Sequence, residues 1–252
     1  MSILIKDTER ASGEELDLVD ALAEVFQKCP LTLQEKLVNP GLFMRRMEMS
    51  YLLANYEIFK KIQQVKGSIF YFGVYHGAGF MTFANLSAGL EPFNHTRELI
   101  GFDTFAGYPS ISEADRTHGK QFRTLVEGGF SSNNKDILEM LLRIYDKNRP
   151  LSHIRKTWLI AGDVCKTLPE FLATNQHSLA SLVVLTMNLY EPTKTALSLM
   201  WPRMPKGGIV VIHSLNENYY PGAMRAVWDV VGSEVSIQTF PFAPNLAYIS
   251  KE

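Results

Sequence analysis

Only two of the 252 residues are cysteine, Cys29 and Cys165, far apart and in unlike contexts. That scarcity argues against a disulfide framework and against a cysteine-built zinc cluster, and it points to a reducing, cytoplasmic home. Charge of one sign is equally scarce: 25 Lys and Arg against 26 Asp and Glu leave a formal net charge of −1, with no long run of either sign. The electrostatic footprint of a protein that grips a nucleic-acid backbone or an anionic membrane is missing. No apolar run approaches the roughly 20 residues of a membrane span. The opening Met1-Ser-Ile-Leu-Ile-Lys-Asp also lacks the apolar stretch of a signal peptide. What is present is core: 46% of residues are hydrophobic, enough for one large α/β domain with an appendage. A small molecule is the default partner.

The appendage is read at the start. Leu16, Val19, Leu22, Ala23 and Phe26 recur at helical spacing from Glu14 to Lys28 and stop at Cys29-Pro30. Met49, Leu52, Leu53, Tyr56 and Phe59 carry the same period from about Arg45 to Gln64. Residues 1–66 are therefore expected to form an N-terminal helical cap, and residues 67–252 a doubly wound, Rossmann-like sheet domain. In that domain apolar runs alternate with helical patterns, as a parallel sheet requires. Strands are expected at Ser68–Val74, Glu98–Asp103, Thr157–Ala161, Leu182–Met187 and Gly208–His213, and helices near Phe80–Gly89, Lys135–Lys147, Thr167–Thr174, Thr193–Trp201 and Ala223–Val231. The rhythm then changes: Val235–Phe240, a turn through Pro241-Phe-Ala-Pro244, and Leu246–Ser250 predict a closing antiparallel pair. Between about 104 and 134 lies a connection rich in Gly and Ser, long enough to act as a lid over a site. A plain surface insertion is the competing reading.

Two features carry chemistry. Ile69-Phe-Tyr-Phe72 breaks into Gly73-Val-Tyr-His-Gly77-Ala-Gly79 and continues as a helix, a strand–glycine turn–helix that lets backbone N–H groups approach an anionic ligand. The following strand, Leu99-Ile-Gly-Phe-Asp103, ends in a carboxylate able to accept hydrogen bonds from two ribose hydroxyls. Together they suggest an adenosine-type cofactor. The spacing of Gly73, Gly77 and Gly79 does not match the G-x-G-x-x-G of dinucleotide enzymes, which disfavours a nicotinamide oxidoreductase.

These stretches, with Gly101-Phe-Asp-Thr-Phe-Ala-Gly-Tyr-Pro109, Ala161-Gly-Asp-Val-Cys-Lys-Thr-Leu-Pro169, Leu189-Tyr-Glu-Pro-Thr193 and Pro202-Arg-Met-Pro-Lys-Gly-Gly208, resemble the macrocin O-methyltransferase family from about Met44 to Val231. The resemblance implies a class I methyltransferase fold, S-adenosylmethionine as cofactor, methylation of a hydroxyl on a sugar or secondary metabolite, and a homodimer, to which the apolar cap helices also point. It puts Gly73, Val74, Tyr75, Gly77 and Gly79 against the methionine part, Asp103 and Thr104 at the ribose, Gly162 and Asp163 beside the adenine, and Asn188 at the cofactor's edge. For Asp163 a helix N-cap is an equal and compatible reading.

The departures matter as much. Where relatives carry acidic metal ligands after the fourth and fifth strands, this chain has Thr186, Asn188, His213 and Ser214, so no metal site is expected. Where many relatives carry a carboxylate before the first loop glycine, facing the ammonium of the cofactor, this chain has Tyr71 or Phe72. Without a metal to acidify the alcohol a general base is needed, and His213 is the candidate; a histidine bonded to nearby backbone is the plainer alternative. His76, inside the loop, either reaches cofactor or substrate or simply faces water, and Tyr75, Phe105 and Tyr108 either wall in an adenine or aromatic substrate or belong to the core. Tyr190 and Glu191 either line the acceptor site or belong to the start of the next helix. A degenerate binding protein or partner subunit, and an altered chemistry in the same crevice, are the other classes the sequence allows.

Overall fold

A computed structural model describes residues 13–116, 124–213, 215–216 and 218–252. The chain divides into two compact units, Met1–Leu52 and Leu53–Glu252, so the division falls inside a helix and ahead of residue 66. In the first unit, α1 (Gly13–Lys28) is followed by α2 (Leu33–Val38) and the beginning of α3 (Arg46–Ile62). The helix α2 went unread because it is only six residues long, yet its start is written in the sequence. Thr32 and Glu35 form a reciprocal capping box, with Glu35 accepting from the Thr32 N–H at 2.8 Å.

The second unit begins with the rest of α3, whose Ala54, Ile58, Phe59 and Ile62 are completely buried. This burial is why the last turns of α3 belong with the sheet. Next come β1 (Ser68–Phe72), α4 (Ala78–Leu90), β2 (Leu99–Asp103), α5 (Lys135–Lys147), β3 (Thr157–Ala161), α6 (Val164–Thr174), β4 (Ala180–Leu185), α7 (Tyr190–Met200), β5 (Ile209–His213), α8 (Pro221–Val230), β6 (Ile237–Phe240) and β7 (Ala243–Ser250). They build one seven-stranded sheet in the order β3-β2-β1-β4-β5-β7-β6. The first five strands pair in parallel and β7 runs antiparallel to both β5 and β6. This is the open, mixed sheet of class I methyltransferases, closed by the antiparallel pair expected from the alternation after Val235.

Every residue of β4 and β5 is buried. Strands covered by helices on both faces read as unbroken apolar runs, which is how Leu182–Leu185 and Ile209–Ile212 appear in the sequence. Phe70, Phe72, Ile100, Phe102, Leu168, Val183, Leu197 and Val210 belong to one core cluster. At the N-terminal edge of the sheet, Arg97 donates to the carbonyls of Ile62, Gln63, Val65 and Gly67 and pairs with Glu91, fixing the entry into β1. Strand order reverses between β1 and β4, and such a reversal opens a crevice at the carboxyl ends of the strands.

Candidate functional site

The crevice is organised by one carboxylate. Asp103, the last residue of β2, accepts the Tyr75 N–H at 2.6 Å on one oxygen and the Phe105 N–H at 2.6 Å on the other. Both donors sit in the left-handed region, Tyr75 at φ 53° and Phe105 at φ 57°. Aromatic residues adopt that conformation only where the surroundings enforce it, and such strain gathers at functional sites. Asp103 thus holds the turn after β1 and the turn after β2 in one arrangement. Burial pushes its carboxyl above the usual carboxylate range, against the backbone N–H bonds of Tyr75, Phe105 and Val74, which favour the ionised form. It is only partly covered, so lone pairs remain for a ligand.

The glycines of the loop have distinct reasons. Gly77 is the N-cap of α4 at φ +91°, and a Cβ there would stand 2.2 Å from the side chain of Leu138 on α5. A Cβ on Gly79 would stand 2.1 Å from the hydroxyl of Tyr71. Neighbouring side chains crowd both positions, and at Gly77 the positive φ adds its own preference for glycine. What the loop leaves for a ligand is the start of α4, which has no side-chain cap, so its first N–H groups are available to an anion. Tyr71 is one of the two residues before the loop, with Phe72, at which the resemblance would put a carboxylate. It is buried, and burial together with the Asp103 charge raises its phenol well above the ordinary value, so it stays a neutral hydroxyl.

The other expected contacts fall around this clamp. The Gly162 N–H donates to the Asp103 carbonyl at 2.9 Å, and Asp163 caps α6 through the Cys165 N–H at 2.9 Å. That cap starts α6 at Val164, three residues earlier than its apolar pattern suggests. The Thr104 hydroxyl turns to the Gly107 carbonyl at 2.6 Å. Across the crevice, the Thr186 hydroxyl bonds the carbonyls of Gly73 at 2.6 Å and Phe72 at 3.0 Å. Asn188 is 6% exposed and left-handed at φ 62°; its Nδ2 lies 3.4 Å from the Tyr108 hydroxyl and its Oδ1 is buried with no partner.

His213 ends β5 beside β4, since Ile212 pairs with Leu185. Burial pushes its imidazole down to about 3, so it is neutral at physiological pH. Ser214 lies outside the described residues. Among the described residues no three His, Cys, Asp or Glu side chains gather as a metal site would. His76 is exposed against the Tyr75 ring. Tyr190 and Glu191 follow the plainer reading: Glu191 sits exposed in the first turn of α7, and the Tyr190 hydroxyl engages Asp229 and Lys194 instead of an acceptor.

The 104–134 segment is a folded loop where it is described; residues 117–123 lie outside the description. Its neck closes where Tyr108 and Gly129 exchange backbone bonds with their neighbours and where Ser132 and Asn133 donate to the Phe105 carbonyl. Its body is tied down by Asp115, a residue the sequence reading missed. Asp115 is buried and accepts the first N–H of α7, from Tyr190, at 2.7 Å, while holding the N–H and hydroxyl of Ser112. The Ser112-x-x-Asp115 spacing announces the local capping box, but nothing local announces a target 75 positions away. Leu125, Leu189 and Tyr220 pack beneath, with Tyr108, Ile111 and Phe130 around them.

The donor set fits an adenosyl cofactor: an uncapped helix start for a carboxylate and a buried-edge carboxylate for a ribose diol. It offers no ionic partner for an ammonium at Tyr71. Comparison with known proteins agrees. The sequence profile of the methyltransferase domain matches residues 70–215. Among curated proteins none matches. The solved structure of CalS11, described as a calicheamicin methyltransferase, is 31% identical with a TM-score of 0.90, covering 96% of this chain and 94% of that one. Its apo form, described as a TDP-rhamnose 3'-O-methyltransferase, is 29% identical with a TM-score of 0.82 and covers 96% of each chain. The O-methyltransferase NovP, at 16% identity and a TM-score of 0.59 over 81% of this chain and 80% of that one, shares the fold. The chain belongs to the methyltransferase domain family and is an S-adenosylmethionine-dependent methyltransferase.

Proposed function

We propose that this enzyme methylates a hydroxyl of a sugar or related secondary metabolite without a divalent metal, as a cytoplasmic homodimer related to the macrocin O-methyltransferases. The acceptor class is supported by the description of CalS11 as acting on TDP-rhamnose, together with the motifs quoted above. The observation that carries the metal-free reading is the crevice wall itself. Thr186, Asn188 and His213 bring no carboxylate to the ends of β4 and β5, and the Thr186 hydroxyl is already committed to backbone. A magnesium ion wants hard, usually anionic oxygen donors.

Bound S-adenosylmethionine supplies an electrophilic methyl group on a sulfonium. The chain's own residues then have three tasks. Asp103 fixes both turns and receives the ribose hydroxyls, while Thr104, Gly162 and Asp163 shape the adenine side. The N–H groups of Ala78 and Gly79 at the start of α4 meet the carboxylate, the Gly77 N–H being taken by the Val74 carbonyl, and Gly73, Val74 and Tyr75 form its floor. Asn188 and His213 face the acceptor across the reversal point, where His213 takes the hydroxyl proton on a ring nitrogen. A weakly basic imidazole suffices because the acceptor oxygen becomes strongly acidic as it bonds carbon. Being neutral already, the ring needs no prior deprotonation.

The test is methyl transfer from labelled S-adenosylmethionine to TDP-rhamnose, with and without EDTA. Product that persists in chelator is expected. Activity abolished by EDTA and restored by magnesium would overturn the metal-free reading, and no product with a hydroxyl sugar under either condition would overturn the acceptor class.

A further inference from the structure

The helix α5 is amphipathic twice over. Leu138, Leu142 and Tyr145 are buried, the last donating to the Ala84 carbonyl at 2.9 Å. On another face Ile137, Met140, Leu141 and Ile144 recur at i, i+3, i+4 and i+7 and stand 43% to 63% exposed. That is the spacing of a helix seam. A solvated helix face has no reason to carry four large apolar residues in register, and contiguous exposed patches of this kind mark interaction surfaces. The helix contacts β3, the outermost strand on its side of the sheet, so the seam lies at the rim of the sheet unit.

The charges beside the seam favour one occupant. At about 100° per residue, Asp136, Arg143 and Lys147 fall on the same flank of the stripe. Asp136 lies at its N-terminal end and Lys147 at its C-terminal end, about 16 Å along the axis, and both are exposed. Two copies laid antiparallel about a twofold axis near Met140 and Leu141 would set Ile137 against Ile144 and Met140 against Leu141. The same arrangement brings each Asp136 to within about 3 Å, along the axis, of the levels of the other copy's Lys147 and Arg143 on the same side of the pair, whereas a parallel twofold puts the two charged flanks on opposite sides, where neither finds a partner. An isologous interface needs a patch that is its own complement. We propose that α5 is a self-association surface, pairing antiparallel with α5 of a second copy of this chain. One helix per copy makes a small interface, so the dimer is concentration-dependent.

Sedimentation velocity of the full chain over a range of concentrations tests this, with thermal melting to confirm that each variant folds. Wild type dimerises. Asp136→Lys and Lys147→Asp each turn two attractive pairs repulsive and weaken the dimer by about tenfold. The double variant Asp136→Lys/Lys147→Asp recovers it. An equimolar mixture of the two single variants also recovers it as a heterodimer, which no change in helix stability can mimic. Ile137→Glu with Ile144→Glu abolishes it, and an engineered Cys at Leu141, in a Cys29→Ser/Cys165→Ser background, cross-links to itself under oxidation. A chain monomeric at every concentration would overturn the proposal. So would a dimer indifferent to all of these changes, since that result places self-association elsewhere, such as on the exposed Leu33, Leu37 and Val38 of α2. Neither result bears on methyl transfer, which is measured separately.

Discussion

At the residue scale the site depends on a few side chains whose partners are backbone groups. Asp103 accepts two N–H bonds as a partly covered carboxylate, and bonds to charged groups contribute about 1.5–3 kcal/mol each. Asp103→Ala is expected to lower stability by about 3 kcal/mol and to weaken S-adenosylmethionine binding at least tenfold by calorimetry. Asp103→Asn, which keeps one acceptor, should fall between. Binding unchanged in the Ala variant would remove Asp103 from the cofactor site. His213 gives a second prediction. Its folded pKa is depressed to about 3 from the ordinary 6.5, so below pH 6.5 the unfolded chain binds a proton the native one does not. Its contribution is therefore complete above pH 6.5 and lost as pH falls toward 3. His213→Asn should flatten that part of the stability–pH curve and, if the ring is the base, reduce kcat about a hundredfold. Lost stability slope with unchanged kcat would leave His213 a core residue. That Asp103 and His213 end strands was legible because each closes an apolar run. That Asp103 already binds Tyr75 and Phe105, and that Thr186 spends its hydroxyl on Gly73, was not legible, because those partners come from other strands.

At the scale of elements, periodicity served best where an apolar run is bounded by clear breaks, even at the edge of the sheet. The helix α5 spans Lys135–Lys147 as its pattern says, and β3 spans Thr157–Ala161. Starts were misjudged where a cap decides them. The helix α7 begins at Tyr190, ahead of the expected Thr193, because Asp115 satisfies its first N–H. Asp115→Ala should cost about 1–2 kcal/mol and speed proteolytic cleavage within residues 104–134, read by mass spectrometry. Cleavage at the wild-type rate would mean the loop is held by Leu125 and Tyr220 alone. The contact between loop and helix at Gly77 is equally specific. Gly77→Ala meets Leu138 and a positive φ together, a loss of about 2 kcal/mol or more. Adding Leu138→Ala makes room for the new methyl, so the double variant should lose less than the sum of the two singles. Strict additivity would show that backbone strain alone demands the glycine.

For the whole molecule, the alternation of apolar strands with helical patterns, and the change of rhythm after Val235, were enough to give the sheet, its parallel run and its antiparallel close. The border between units was less visible, because α3 is one continuous helix whose first turns belong to one unit and whose last turns carry buried Phe59 and Ile62 of the other. Helical period reports a face, and a face does not say which neighbour covers it. This division makes a prediction about where cofactor affinity resides. Gly73–Gly79, Asp103, Gly162, Asp163 and Asn188 all fall within Leu53–Glu252, and the clamp between the two turns involves only that unit. A chain of residues 46–252, which keeps α3 whole, should fold cooperatively by circular dichroism and bind S-adenosylmethionine within about threefold of the full chain, a difference of less than about 1 kcal/mol. If affinity collapses while the fold persists, residues before Arg46 take part in holding the cofactor, and a site built by Asp103 and the glycine loop alone is insufficient.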